Sequence, residues 1–190
     1  MEVKNLLEAI GSVRIIQKWA SNNPSSLGKN VALLQDLVAE ASESAAGREG
    51  VKVFVGGNSF GCRVAVEMLK TQGTSLASNV VSDRVLCFGY PLYGPTPPKA
   101  TTDRVAPLLQ LPADLRVTFV SGERDEFLDR DYVTGPRGIA GLEGVAEQMD
   151  AQTEVVAVTG GRHNCLQVSK STRDRAVTVV RNAIISHCAL

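Results

Sequence analysis

From residue 51 onwards the chain alternates short apolar runs with stretches of helical spacing. Val51-Lys52-Val53-Phe54-Val55, Val85-Leu86-Cys87-Phe88-Gly89, Arg116-Val117-Thr118-Phe119-Val120 and Glu154-Val155-Val156-Ala157-Val158 are each short enough, and rich enough in β-branched and aromatic residues, for buried strands. Between and after them lie apolar residues at helical intervals, predicting helices over 60–71, around 137–149 and near 172–187. Strands alternating with helices predict a parallel sheet covered on both faces, an α/β fold.

The first fifty residues read differently. Val3, Leu6, Leu7, Ile10, Val13, Ile16 and Trp19 follow a helical period. A second helix is expected from Asn30 as N-cap, with Val31, Leu34, Leu37, Val38 and Ala41 on one face and Gly47 at its end. The expected organisation is one domain over 1–190, with a helical segment 1–47 followed by a sheet-bearing part 48–190. No strand pattern precedes Val51, so the 51–55 strand is expected at an edge of the sheet, open to self-association through its unpaired backbone.

With 190 residues, 44% of them hydrophobic, the chain is long enough for a sizeable core. Twenty basic residues balance twenty acidic ones, which gives no electrostatic reason for nucleic-acid or anionic-membrane binding. No apolar run reaches the length of a membrane span, and the first residues lack a signal-peptide layout. Cys62, Cys87, Cys165 and Cys188 occur singly, without zinc spacing or the density of a disulfide scaffold, so a reducing compartment is expected, cytoplasmic or nuclear. No metal or cofactor is implied.

Chemistry concentrates at Gly57-Asn58-Ser59-Phe60-Gly61. A Gly-x-Ser-x-Gly between a strand and a helix is the context of a nucleophile elbow, where a tight turn projects a serine hydroxyl from the strand end. Small flanking residues leave room for the turn, and Gly57 and Gly61 supply them. The plainer alternative is a glycine turn that packs closely or binds an anion at a helix N-terminus. Of two histidines, His163 follows the Glu154–Val158 run in a glycine turn, where a general base would sit; His187 falls in the last helical turn, where a structural role and fraying are expected. Glu123, Asp125, Glu126 and Asp129 crowd the loop after Val120, and any of them is a candidate acid. The order Ser59, Asp125, His163 is the succession of α/β-hydrolases.

Val55–Arg63, Cys87–Pro95, Val120–Phe127 and Gly160–Asn164 resemble successive blocks of the α/β-hydrolase-like, dienelactone-hydrolase-like family that includes testis-expressed protein 30 and subunit 3 of the NSL acetyltransferase complex. The resemblance runs from about residue 50 to the end, and its Tyr-Pro-Leu block and Arg63 are more specific than the elbow. It implies Ser59 as nucleophile, Asp125 as acid and His163 as base, with a poorly defined substrate. Members of the fold begin with further strands, one followed by a loop that provides a second oxyanion N–H; nothing before Ser59 resembles it.

The expected reaction is hydrolysis of a small acyl substrate, an ester, thioester or amide, through an acyl-enzyme, with the Phe60 N–H as one oxyanion donor. The alternative is a weakly active or inactive scaffold of the same fold that binds a protein partner. Tyr90, Leu92 and Tyr93 either line an acyl pocket or fasten their loop to the core. Arg63 either orients an acid or forms a surface ion pair. Cys62, in the first turn after Ser59, is either a packing residue or a thiol activated by the helix dipole.

Overall fold

Four parallel strands lie side by side in chain order: β1 (Val53–Asn58), β2 (Val81–Phe88), β3 (Arg116–Gly122) and β4 (Gln152–Val158). This is a computed structural model, and it describes residues 3–9, 26–49, 51–72, 81–94, 102–129 and 135–188. Parallel neighbours cannot be joined by hairpins, so the chain crosses over a face between strands. The helices are α1 (Val3–Glu8), α2 (Leu27–Ala45), α3 (Phe60–Gln72), α4 (Thr102–Val105), α5 (Gly138–Ala146) and α6 (Arg173–Cys188).

Alternation along the strands divides the core between the two faces. Val85, Cys87, Val117 and Phe119 pack with Val64, Met68 and Leu69 of α3, Leu34 and Val38 of α2, and Leu142 of α5. Their neighbours Leu86, Phe88, Val120 and Val158 point the other way, onto Val180, Ala183 and Ile184 of α6 and Leu6 of α1. Each such large side chain stabilises the fold by roughly 1.5–3 kcal/mol relative to leaving it exposed. The helices therefore sit on both faces, as the strand–helix alternation predicts.

Several boundaries differ from those read in the sequence. β1 starts two residues later than Val51 and runs through the two glycines to Asn58, because pairing with β2 continues to Phe88. β2 reaches back to Val81, β3 extends to Gly122 and β4 begins at Gln152, where their neighbours carry the ladder past the apolar runs. Helix α2 begins at Leu27, so Asn30 is not its N-cap but a fully buried residue inside the first turn. Gly47, with a φ of 75°, stands just beyond the helix as expected. Leu6 is buried on α1, whereas Ile10, Val13, Ile16 and Trp19 lie outside the described residues.

β1 pairs only with β2, and among the described residues no strand lies beyond it. No helix among the described residues is long and apolar enough to cross a membrane.

Candidate active site

The elbow is built by sterics. Ser59, between β1 and α3, has a φ of 53° and is the one non-glycine residue with positive φ among the described residues. Such backbone costs about 1–3 kcal/mol and persists only where its surroundings hold it. Here the Ser59 N–H donates to the Phe88 carbonyl at 2.9 Å, and the Ser59 carbonyl accepts from Cys62 N–H at 3.0 Å. Opposite it, a Cβ at Gly57 would lie 2.2 Å from the Gly61 carbonyl carbon and 2.4 Å from Cys62 N, so position 57 admits only glycine.

His163 reaches this serine from the loop after β4. Gly160, at a φ of 71°, turns the chain, and Gly161 N–H closes the turn on the Val158 carbonyl at 3.0 Å. His163 Nε2 then lies 2.6 Å from Ser59 Oγ, while Nδ1 lies 3.0 Å from each oxygen of Asp125. A carboxylate only accepts, so Nδ1–H is the donor to Asp125 and Nε2 accepts from the serine hydroxyl. The Asp125 side chain is fully buried; the imidazole keeps 18% of its surface exposed.

Of the four candidate acids, only Asp125 touches His163 among the described residues. The Glu123 carboxylate accepts from Thr159 Oγ1 and Gly160 N–H, both at 3.1 Å, and so pins the loop that carries the histidine. Asp129 pairs with Arg137 at 3.3 Å, and Glu126 is exposed. The loops after β3 and β4 are further joined by Glu123 N–H to the Val158 carbonyl at 3.2 Å and Arg124 N–H to the Gly161 carbonyl at 2.8 Å. A Cβ at Gly122 would meet Gly161 and Arg162 backbone at 2.3 Å, so a glycine there lets the loops close. Asp125 also accepts from Phe127 N–H at 2.8 Å, and the Phe127 ring packs on His163 with centroids 4.4 Å apart. Glu123 as a loop pin, Gly122 and Phe127 escaped the sequence reading, because each acts through a partner distant in sequence.

Cys62 is fully buried, with Sγ 3.1 Å from the Gly57 carbonyl and 3.3 Å from that of Phe88. Burial pushes its thiol well above the usual range, which favours the packing role of the two readings over an activated thiol. Tyr90 and Leu92 are buried in the core; the Tyr90 hydroxyl donates to the Arg104 carbonyl at 2.6 Å and its ring packs edge-on against Phe119. Tyr93 is also buried, its N–H donating to the Phe127 carbonyl at 2.9 Å. The Arg63 guanidinium lies over the Phe60 ring at 5.8 Å, without a carboxylate partner among the described residues. Among those residues no group of three His, Cys, Asp or Glu gathers as for a metal.

His187 is not a frayed surface residue. It continues the buried stripe Ala176, Val180, Ala183 and Ile184 of α6, 2% exposed, with Nδ1 2.9 Å from Thr118 Oγ1. Burial, and then the nearby positive charge of Arg84, lower its pKa from 6.5 to about 4, so the neutral form is held in a structural role.

A family model of the alpha/beta hydrolase domain matches residues 16–188. The chain belongs to the alpha/beta hydrolases. Solved structures superpose on it at low identity. An alpha-beta serine hydrolase homologue from Coxiella burnetii shares 14% of its residues at a TM-score of 0.56, covering 95% of this chain and 73% of that one. An uncharacterised protein from Bacillus cereus shares 14% at a TM-score of 0.60, covering 97% of this chain and 53% of that one. A dienelactone hydrolase-like promiscuous phosphotriesterase from metagenomic libraries shares 11% at 0.50, covering 93% of this chain and 71% of that one. Among curated proteins none matches the chain. At these identities the likeness is one of fold, and this alpha/beta hydrolase spans only part of each of these relatives' lengths.

Proposed function

We propose that the chain is a serine hydrolase that cleaves a small ester, thioester or amide through an acyl-enzyme. Within the alpha/beta hydrolases we assign it to the group of testis-expressed protein 30 and NSL subunit 3, on its Tyr-Pro-Leu block and Arg63. The observation that carries the reading is the hydrogen-bonded path from Ser59 Oγ through His163 to Asp125, at 2.6 and 3.0 Å. In this mechanism His163 Nε2 takes the hydroxyl proton as Ser59 attacks the acyl carbon, then returns it to the leaving group. Asp125 holds the imidazole tautomer and offsets the imidazolium charge. Phe60 N–H, at the first residue of α3, is assigned as one oxyanion donor, and the positive end of the helix dipole adds to it. The same two steps with water as nucleophile release the acid. No cofactor enters, and the reaction is assigned to a cytoplasmic or nuclear compartment on the four unpaired cysteines.

A fluorophosphonate probe tests this directly. Stoichiometric labelling of the folded chain, lost in Ser59→Ala, is expected; absence of labelling on folded protein overturns the reading and leaves the partner-binding scaffold.

A further inference from the structure

Phe127 meets the candidate site at three points. Its N–H donates to Asp125 Oδ1 at 2.8 Å, its carbonyl accepts from Tyr93 N–H at 2.9 Å, and its ring lies 4.4 Å from the His163 ring, the planes tilted by 49°. The two backbone bonds are independent of side-chain identity, because every residue but proline offers the N–H and every residue the carbonyl. What the side chain itself contributes is a half-buried aromatic surface against the imidazole.

A leucine fills similar space, so packing alone does not call for an aromatic ring. The difference is electrostatic: a benzene face carries negative charge density and attracts a cation placed over it, while an aliphatic chain does not. In serine hydrolysis His163 becomes a cation only as the proton leaves Ser59. An interaction that strengthens as that charge develops lowers the barrier without tightening substrate binding. The imidazole's Nδ1 bonds to Asp125 and its Nε2 to Ser59. Phe127 meets it ring to ring, the centroids 4.4 Å apart.

We propose that Phe127 is a positioning residue for the reaction: its ring holds His163 in line between Asp125 and Ser59 and stabilises the imidazolium that forms during acylation. The inference rests on the serine-hydrolase reading. It adds a fourth side chain to the machinery, one that touches no substrate and acts through the histidine.

The test is the rate of Ser59 labelling by a fluorophosphonate, with steady-state ester hydrolysis beside it, in the full chain. Phe127→Leu is expected to slow labelling and lower kcat about 5- to 30-fold with KM little changed, and Phe127→Tyr to restore the parent rate. A series of fluorinated phenylalanines at position 127 keeps the ring's shape while draining its π face; the rate is expected to fall step by step with fluorination. A purely structural ring leaves that series flat, and flat rates overturn the inference even if the leucine variant fails to fold. Parent labelling with an unchanged leucine variant also overturns it while sparing the hydrolase reading. Absence of parent labelling removes both.

Discussion

Gly89 lies directly against the backbone of His163: a Cβ at position 89 would fall 2.5 Å from the His163 carbonyl oxygen and 3.4 Å from its Nδ1. Gly89 also has a φ of 58°. The end of β2 thus sets how deeply the histidine loop descends toward Ser59. Gly89→Ala meets both penalties, a strained backbone and a clash with main chain that has no rotamer to escape into. It is expected to cost more than about 1 kcal/mol of stability and to displace His163 from Ser59. Labelling of Ser59 should fall even at temperatures where circular dichroism shows the variant folded; full labelling would refute the linkage.

Ser59→Ala and His163→Ala should each remove nearly all hydrolysis, by roughly 10⁴-fold or more, and the double variant should lose no more than either single one. Additive losses would mean that the two side chains do not act as a unit. Asp125→Asn, which keeps the shape, is expected to cost about 10³- to 10⁴-fold in kcat. Asp129→Asn, which breaks only the surface pair with Arg137, should leave kcat within about two-fold. A reversal of that ranking would reassign the acid.

His187 makes stability depend on pH. Its folded pKa is about 4 against 6.5 for the ordinary group, so between those values the unfolded chain binds more protons than the folded one. The neutral, buried imidazole therefore contributes fully above about pH 6.5, and stability declines as pH falls toward 4, by about 3 kcal/mol at most. Arg84 and Arg116 disfavour its protonation and Asp83 favours it. Urea unfolding at pH 7 and pH 4.5 should show this decline in the parent and a smaller one in His187→Gln. Equal slopes in the two proteins would contradict the assignment.

Thiol chemistry should follow burial. Cys62, Cys87 and Cys165 are buried and Cys188 is half-buried, and burial raises Cys165 to about 11. In the native chain Ellman's reagent is expected to titrate Cys188 first and the other three only with unfolding. Rapid native modification of Cys62, located by peptide mass mapping, would restore the activated-thiol reading.

The side of β1 beyond which no strand lies among the described residues carries the proposed self-association. Ser59 N–H bonds to Phe88 of β2, and strand alternation then turns the backbone groups of Gly56 and Asn58 away from β2. Pairing with β1 of a second copy satisfies both rows of groups by a two-fold axis. Sedimentation should show a dimer growing with concentration, and the Gly56 and Asn58 amides should gain exchange protection in parallel. A monomer at high concentration with freely exchanging amides there would rule the pairing out.

Some of this was written in the chain. The four apolar runs placed the strands, although only β2 and β3 are largely buried and the edge strands β1 and β4 are half-exposed, and Gly57 marked the turn before Ser59 because a Cβ there would meet the backbone of Gly61 and Cys62. Ser59 and His163 stood at strand ends beside glycine turns, each signalled within a few residues. The acid did not stand out in the same way, since four carboxylates within seven positions look alike until β4 lies beside β3 and Glu123 is drawn to Thr159 and Gly160. Strand limits likewise depended on neighbours: β1 extends through Gly56 and Gly57, poor strand formers, because the ladder with β2 continues alongside them to Phe88.

His187 and Phe127 mark the boundary most plainly. The helical period puts His187 on the same face as Ile184 and Val180, but its place in the last helical turn argued for fraying, and only the covering sheet decided for burial. Phe127 reads as one more loop aromatic until the loop folds under Asp125 and presents its ring to a histidine 36 positions away. Local sequence determines what each segment does with its own backbone, since glycine sterics and side-chain period act over a few residues. Partners separated by a crossover depend on how parallel strands stack and where their loops converge, and that was decided by the tertiary structure alone.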